Sequence, residues 1–213
     1  MATKALAADP YNLIITGVGG QGNVLASKLI GNMLADQGYY ITIGETFGAS
    51  QRGGSVMSHL RISSDSIQSP QIPKGKAHMV VALEPTEALR VLKEYGNPDV
   101  KVITNTRAVY SVGVVCGDDA YPSMDELRGW MDKLTAGAWF IDATDEAVKL
   151  GTAILGNVLL VGALAAIGDL PLGRDRFSEV MARTMPAGKV DINLSAFDKG
   201  LAVVSASSNN QSV

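Results

Sequence analysis

At 213 residues, 46% hydrophobic and 18% charged, the chain is long enough to bury one full α/β core. A formal net charge of −3, with lysines and arginines scattered, excludes the basic footprint of a nucleic-acid binder. A single cysteine, Cys116, excludes an internal disulfide and any cysteine-ligated metal or iron–sulfur centre held by this chain alone.

Residues 1–10 carry one lysine and no sustained apolar stretch, so they read as an N-terminal tail and not as a signal peptide. Residues 12–16 are an apolar run that predicts the first strand. Gly17-Val18-Gly19-Gly20-Gln21-Gly22 follows it and opens an amphipathic helix over 23–37, stopped by Gly38. Residues 39–43 read as the second strand, 44–54 as a long glycine-rich loop, and 56–63 as a third strand of period two. Pro70, Pro73 and Gly75 mark 64–76 as an irregular excursion. A buried strand is expected over 78–83, a helix from Pro85 to Tyr95, and a strand over 100–104 that ends at Asn105-Thr106. Val112 to Val115 reads as a short strand. Ser123 with Glu126 three residues on predicts a capped helix. A strand at 138–141 and a helix at 142–150 come next. The rest is helical: 153–167, 174–184 and 191–204. The apolar stretch 153–167 contains Asn157 and falls short of the roughly 20 residues that span a bilayer, so it reads as a buried core helix with no membrane insertion. Residues 205–213 are rich in Ser, Asn and Gln and read as a disordered tail. Alternating strands and helices over 11–204 predict a single α/β domain: a Rossmann-like, mainly parallel, doubly wound sheet with a helical C-terminal part. A cytoplasmic location is the default expectation.

Two glycine loops carry the chemistry. Gly17, Gly19, Gly20, Gln21 and Gly22 connect a strand to a helix, the context in which this spacing has physical meaning. The loop is either a tight packing turn or an anion cradle, because a helix N-terminus offers free N–H groups and the positive end of the dipole. A simple NAD site also expects an acidic residue about 20 positions on. Glu45 is the candidate, slightly late and at the mouth of a long loop. In the second loop Gln51, Arg52, Gly53, Gly54 and Ser55 place an arginine beside exposed backbone, which suits bidentate recognition of phosphate or carboxylate. A solvated arginine, or one that pins the loop, is the other reading. Asn105 and Thr106 end a central strand, where side chains face a ligand or cap the next helix. His59 reads as structural, and Cys116 as a small buried or semi-buried residue with no base to activate it. No Walker lysine, metal-ligand spacing or Ser/His/Asp set is present. Gly117-Asp118-Asp119 lacks the remainder of a thiamine-diphosphate motif.

The two loops, with Ser58-His59-Leu60-Arg61 behind the second, resemble the gamma-type subunit of 2-oxoacid:ferredoxin oxidoreductases. Ser50-Gln51-Arg52-Gly53-Gly54-Ser55-Val56 is most similar to the small subunit of indolepyruvate (aryl-pyruvate) oxidoreductases. Further similar stretches are Ser69-Pro70, Ala82-Leu83-Glu84-Pro85, Asn105-Thr106, Gly156-Asn157 and Ala196-Phe197, so the resemblance spans nearly all of 11–204. The chain departs from the pattern at Phe47-Gly48-Ala49-Ser50, where a His-Gly-Met-Ala-like stretch is expected. The resemblance implies an obligate subunit without cofactor chemistry of its own. Thiamine diphosphate, its Mg ion and the iron–sulfur clusters would reside on a larger partner subunit. Oxidative decarboxylation would send electrons to ferredoxin or a similar acceptor, and coenzyme A would offer its phosphates to the glycine loops. Two other readings compete: a free-standing NAD(P)- or flavin-binding oxidoreductase, and a scaffold subunit that uses the loops only to dock.

Overall fold

The computed structural model describes residues 6–48 and 54–209. Its six strands are β1 (Tyr11–Val18), β2 (Tyr40–Phe47), β3 (Ser55–Ser63), β4 (Met79–Ala82), β5 (Lys101–Asn105) and β6 (Gly137–Ile141). They form one sheet in the order β2-β3-β1-β4-β5-β6. β1, β4, β5 and β6 pair in parallel, whereas β3 runs antiparallel to both β1 and β2. Every residue of β1 is buried, as expected of a central strand covered on both faces.

The helices are α1 (Asn23–Ala35), α2 (Pro85–Tyr95), α3 (Val112–Cys116), α4 (Met124–Leu134), α5 (Ala143–Lys149), α6 (Gly156–Ile167), α7 (Arg174–Thr184) and α8 (Ala187–Asn209). Strand alternation divides the core between the two faces of the sheet. Leu13, Ile15, Val81 and Ile103 join the cluster built by α1 and α5–α8. Ile14, Val80, Ala82 and Val102 join the smaller cluster under α2 and α4. α6 and α8 approach closely because glycine stands at both crossing points. A Cβ on Gly162 would lie 2.1 Å from the Phe197 carbonyl oxygen, and one on Gly200 would lie 1.9 Å from that of Leu159. The apolar stretch expected to form a core helix is α6, and its first nine residues are buried. No described helix is long and apolar enough to cross a membrane.

The structure corrects several local expectations. Residues 112–116 are helical and not a strand. Ser111 accepts from the Val114 N–H at 3.3 Å and Gly117 closes the turn at φ +84°, so capping overrides the β-branched valines. β2 runs on to Phe47 and β3 begins at Ser55, which shortens the expected loop; the Gly48 N–H donates to the Ser55 carbonyl at 2.8 Å. α8 starts at Ala187 and continues to Asn209, beyond the expected end at 204. Cys116 is exposed rather than buried.

Candidate functional site

The carboxyl ends of β1, β4 and β5 meet at one edge of the sheet, and the glycine loop lies there. The Val18 N–H donates to Gln21 Oε1 at 2.7 Å, and the Gln21 N–H returns to the Val18 carbonyl at 3.1 Å. Gly20 and Gly22 hold φ of +102° and +88°, where a Cβ is strained. At Gly22 space forbids one as well, since it would lie 2.1 Å from Asn157 Nδ2. Gly17 is fixed by space alone: its Cβ would meet Gln21 Oε1 at 2.7 Å and Leu83 Cβ at 2.9 Å. Gly22 is the N-cap of α1 and no side chain caps it, which leaves the first-turn N–H groups without an intrahelical acceptor.

One backbone atom ties the site together. The Leu83 carbonyl oxygen accepts from Gln21 Nε2 at 3.0 Å and from Asn105 Nδ2 at 3.1 Å. Asn105 also donates to Thr144 Oγ1 at 2.8 Å and accepts from the Thr144 N–H at 3.2 Å. Thr106 donates its hydroxyl to Asp142 Oδ1, and its N–H goes to the Ile141 carbonyl at 3.0 Å. The Asn157 side chain at the start of α6 donates to the Gly22 carbonyl at 3.3 Å. A cleft of about 210 Å³ lies among Gly20, Gln21, Asn105, Arg107, Thr144 and Asn157. Arg107 is its one cationic lining residue; it meets Asp145 at 3.8 Å, with both side chains about two-thirds exposed. The amides of Gln21 and Asn105 are thus engaged in shaping the cleft, while Arg107, paired with Asp145, keeps most of its side chain exposed.

The second loop abuts the first. The Gly19 N–H donates to the Gly54 carbonyl at 2.9 Å, and Ser55 pairs with Val18. Gln51, Arg52 and Gly53 lie outside the described residues. Ser55 Oγ donates to Glu87 Oε2 at 2.5 Å. Beside it the fully buried Glu84 caps α2 by accepting from the Glu87 N–H at 2.9 Å, and it also accepts from the Thr86 and Tyr121 hydroxyls. Burial, with that bond to Glu84, pushes the Tyr121 phenol far above its ordinary value. These groups line a second cleft of about 510 Å³.

Glu45 is not placed to serve the first loop. It sits on edge strand β2, level with Ser58 and Ile15, and β3 separates it from β1. Two strand spacings put it about 10 Å to the side, so the acidic partner of a simple NAD site is missing. His59 is buried, stacked edge-on against Tyr95, and accepts from the Ile72 N–H at 3.4 Å; its Nε2 finds no partner among the described residues. The residues the sequence did not single out are Arg107, Thr144, Tyr121 and the Leu83 carbonyl. A bare loop arginine and a backbone oxygen leave no motif.

Sheet order, glycine loop and edge clefts define a doubly wound α/β protein with clefts at the carboxyl ends of its strands. The chain belongs to the pyruvate ferredoxin/flavodoxin oxidoreductase family, whose model matches residues 12–203. It is 38% identical over 192 residues to the indolepyruvate oxidoreductase subunit IorB of Pyrococcus horikoshii, covering 90% of this chain and 94% of that protein. Two solved structures share the fold at 19% identity. The pyruvate oxidoreductase subunit PORC of Thermotoga maritima gives a TM-score of 0.68 over 92% of this chain and 97% of that one. A 2-oxoglutarate:ferredoxin oxidoreductase chain of Magnetococcus marinus, solved with 2-oxoglutarate, coenzyme A and succinyl-CoA bound, gives 0.70 over 93% of this chain and 32% of its own length.

Proposed function

We propose that this chain is the small subunit of a cytoplasmic 2-oxoacid oxidoreductase complex acting on an aryl-pyruvate such as indolepyruvate. The observation that carries the proposal is the match, at 38% identity over 90% of this chain, with a protein named as a subunit of an indolepyruvate oxidoreductase. The chain's own donors do not fit a cluster: it has one cysteine, and among the described residues no three His, Cys, Asp or Glu side chains converge. On this reading thiamine diphosphate with its Mg ion and the iron–sulfur clusters belong to a larger partner, where they supply decarboxylation and pass electrons to ferredoxin or a similar acceptor.

This chain then contributes binding and closure. The 210 Å³ cleft, the uncapped start of α1 and Arg107 suit an anion: the carboxylate of the oxoacid or the phosphates of coenzyme A. Arg52 in the second loop would add a planar fork. The hydrogen-bonded turn at Gln21 fixes one wall of the cleft, which lowers the ordering cost of binding.

The test is reconstitution. Co-expressed with its larger subunit, the chain should support indolepyruvate-dependent reduction of an electron acceptor. Either subunit alone should give none. Turnover by this chain by itself, or a reconstituted complex inert toward indolepyruvate and phenylglyoxylate, would refute the proposal.

A further inference from the structure

From Thr106 to Glu126 no residue is buried, although the stretch includes Val109, Tyr110, Val112, Val114, Val115 and Tyr121. Val112 is 79% exposed, Val115 is 73% and Tyr110 is 60%. α3 lies inside this stretch and contains no buried residue. A helix of five residues has little stability of its own in water, and clustered exposed apolar side chains mark a surface that is covered in use.

The strap is nevertheless held in shape. Tyr110 meets Tyr121 edge-on at 5.2 Å, and the Tyr121 hydroxyl is fastened to the buried Glu84 carboxylate. Ser111 and Gly117 cap the two ends of α3. The apolar knob is therefore presented by a fixed base and not by a wandering loop, which reduces the ordering cost of docking.

Its charge says what covers it. The stretch carries four carboxylates, Asp118, Asp119, Asp125 and Glu126, against the single cation Arg107. Among the described residues none of these four carboxylates forms an ion pair, and Arg107 is engaged with Asp145. Asp119 also lines the 510 Å³ cleft that runs from α3 to Gly54 and Ser55 of the second loop, where the cation Arg90 is paired with Glu87 at 3.5 Å. A second copy of this chain would bring acidic rim against acidic rim in a two-fold contact, which like-charge repulsion opposes.

We propose that the Val109–Asp119 strap is the docking surface for the larger subunit, which meets it with an apolar depression bordered by lysine or arginine. The proposal rests on the small-subunit reading above and adds where the two chains touch. Docking there would cover α3 and roof the 510 Å³ cleft beside the second glycine loop.

The experiment uses the co-expressed complex with a tag on this chain. V112D/V115D should cut recovery of the larger subunit about tenfold or more, as loss of a central apolar anchor does. Thermal unfolding of the isolated variant should match the wild type, because neither valine is buried. D118K/D119K should also weaken association and flatten its decline between about 0.05 and 0.5 M salt. Recovery unchanged by both double variants overturns the docking surface while leaving the small-subunit reading intact. Self-association of the isolated wild-type chain that V112D/V115D abolishes overturns it in favour of a second copy. Failure of the wild-type chain to recover the larger subunit removes the reading on which both rest.

Discussion

Gln21 and Asn105 donate to the same acceptor, the carbonyl oxygen of Leu83, at 3.0 and 3.1 Å. That shared atom fastens the β1–α1 turn to the ends of β4 and β5. Gln21→Ala would leave the Val18 N–H without its acceptor, and Asn105→Ala would strand the Thr144 N–H; each should cost about 1–3 kcal/mol. Either single change leaves Leu83 one donor. Only the double variant orphans it, so the double loss should exceed the sum of the singles by about 0.5–3 kcal/mol. Urea denaturation of the four proteins reads the coupling, and strictly additive losses would show that the acceptor is not shared in solution.

Asn157 reaches the same turn from the other side, through its 3.3 Å bond to the Gly22 carbonyl. Asn157→Asp deletes that donor and sets a carboxylate against a carbonyl in a site that is 2% exposed. The N-terminal dipole of α6 favours an acid by about 0.3–1 kcal/mol. A buried polar group left without its partner costs about 1–3 kcal/mol, and more when charged. The second effect wins, so the variant should be destabilised, most strongly at neutral pH where the acid is ionised. Gly22→Ala should be at least as damaging, because it combines left-handed backbone with the 2.1 Å approach to Asn157. Circular-dichroism melts of both variants across pH provide the measurement; an Asn157→Asp variant as stable as the wild type at neutral pH would contradict the contact.

Burial holds the His59 imidazole below the ordinary histidine range, so the fold disfavours its protonated form. The unfolded chain takes up that proton first. The stability tied to a neutral His59 is therefore complete above about pH 6.5 and is lost as pH falls through that value toward the folded pKa. His78 is lowered for the same reason, with Asp169 acting in the opposite sense. His59→Gln keeps an acceptor for the Ile72 N–H and cannot be protonated. Its melting temperature should fall less steeply than that of the wild type as the solution is acidified from about pH 7 to about pH 5. Parallel slopes would assign the dependence to His78 and the carboxylates.

Much of the fold was legible because strand and helix periodicities are local. Leu13 and Ile15 face one cluster and Ile14 the other, as alternation requires, and Ser123 with Glu126 forms the expected capping box. What failed was non-local or set by capping. Glu45 was a slightly late candidate for the acidic partner of an NAD site, and its distance from the loop is fixed by the insertion of β3 between β2 and β1, a sheet order that no local pattern encodes. The valines of α3 favoured a strand until Ser111 and Gly117 fixed a helical turn around them. At the cleft, Gln21 and Asn105 were both singled out by their places in the sequence, yet their common acceptor is a backbone oxygen with no sequence signature. Arg107 carried no motif either. Only the fold brings it to the cleft beside Gly20 and Gln21.

Arg52 offers the sharpest division between a ligand-binding loop and a structural one. It precedes Gly54, whose carbonyl holds the Gly19 N–H at 2.9 Å, so its loop ends against the first glycine loop. Arg52→Lys keeps the charge and removes the bidentate fork. If the guanidinium grips an oxoacid carboxylate or a coenzyme A phosphate, the change loses a charge-assisted bond worth about 1.5–3 kcal/mol. That corresponds to about one to two powers of ten in apparent affinity. Complex assembly should survive, because the loss is local to the ligand. An arginine that only pins the loop gives the opposite pattern: weaker assembly, with unchanged constants in the complex that remains. Steady-state kinetics paired with size-exclusion of the Arg52→Lys complex separates the two. An unaltered KM for both the oxoacid and coenzyme A would remove Arg52 from the proposed anion site and leave Arg107 as its candidate cation.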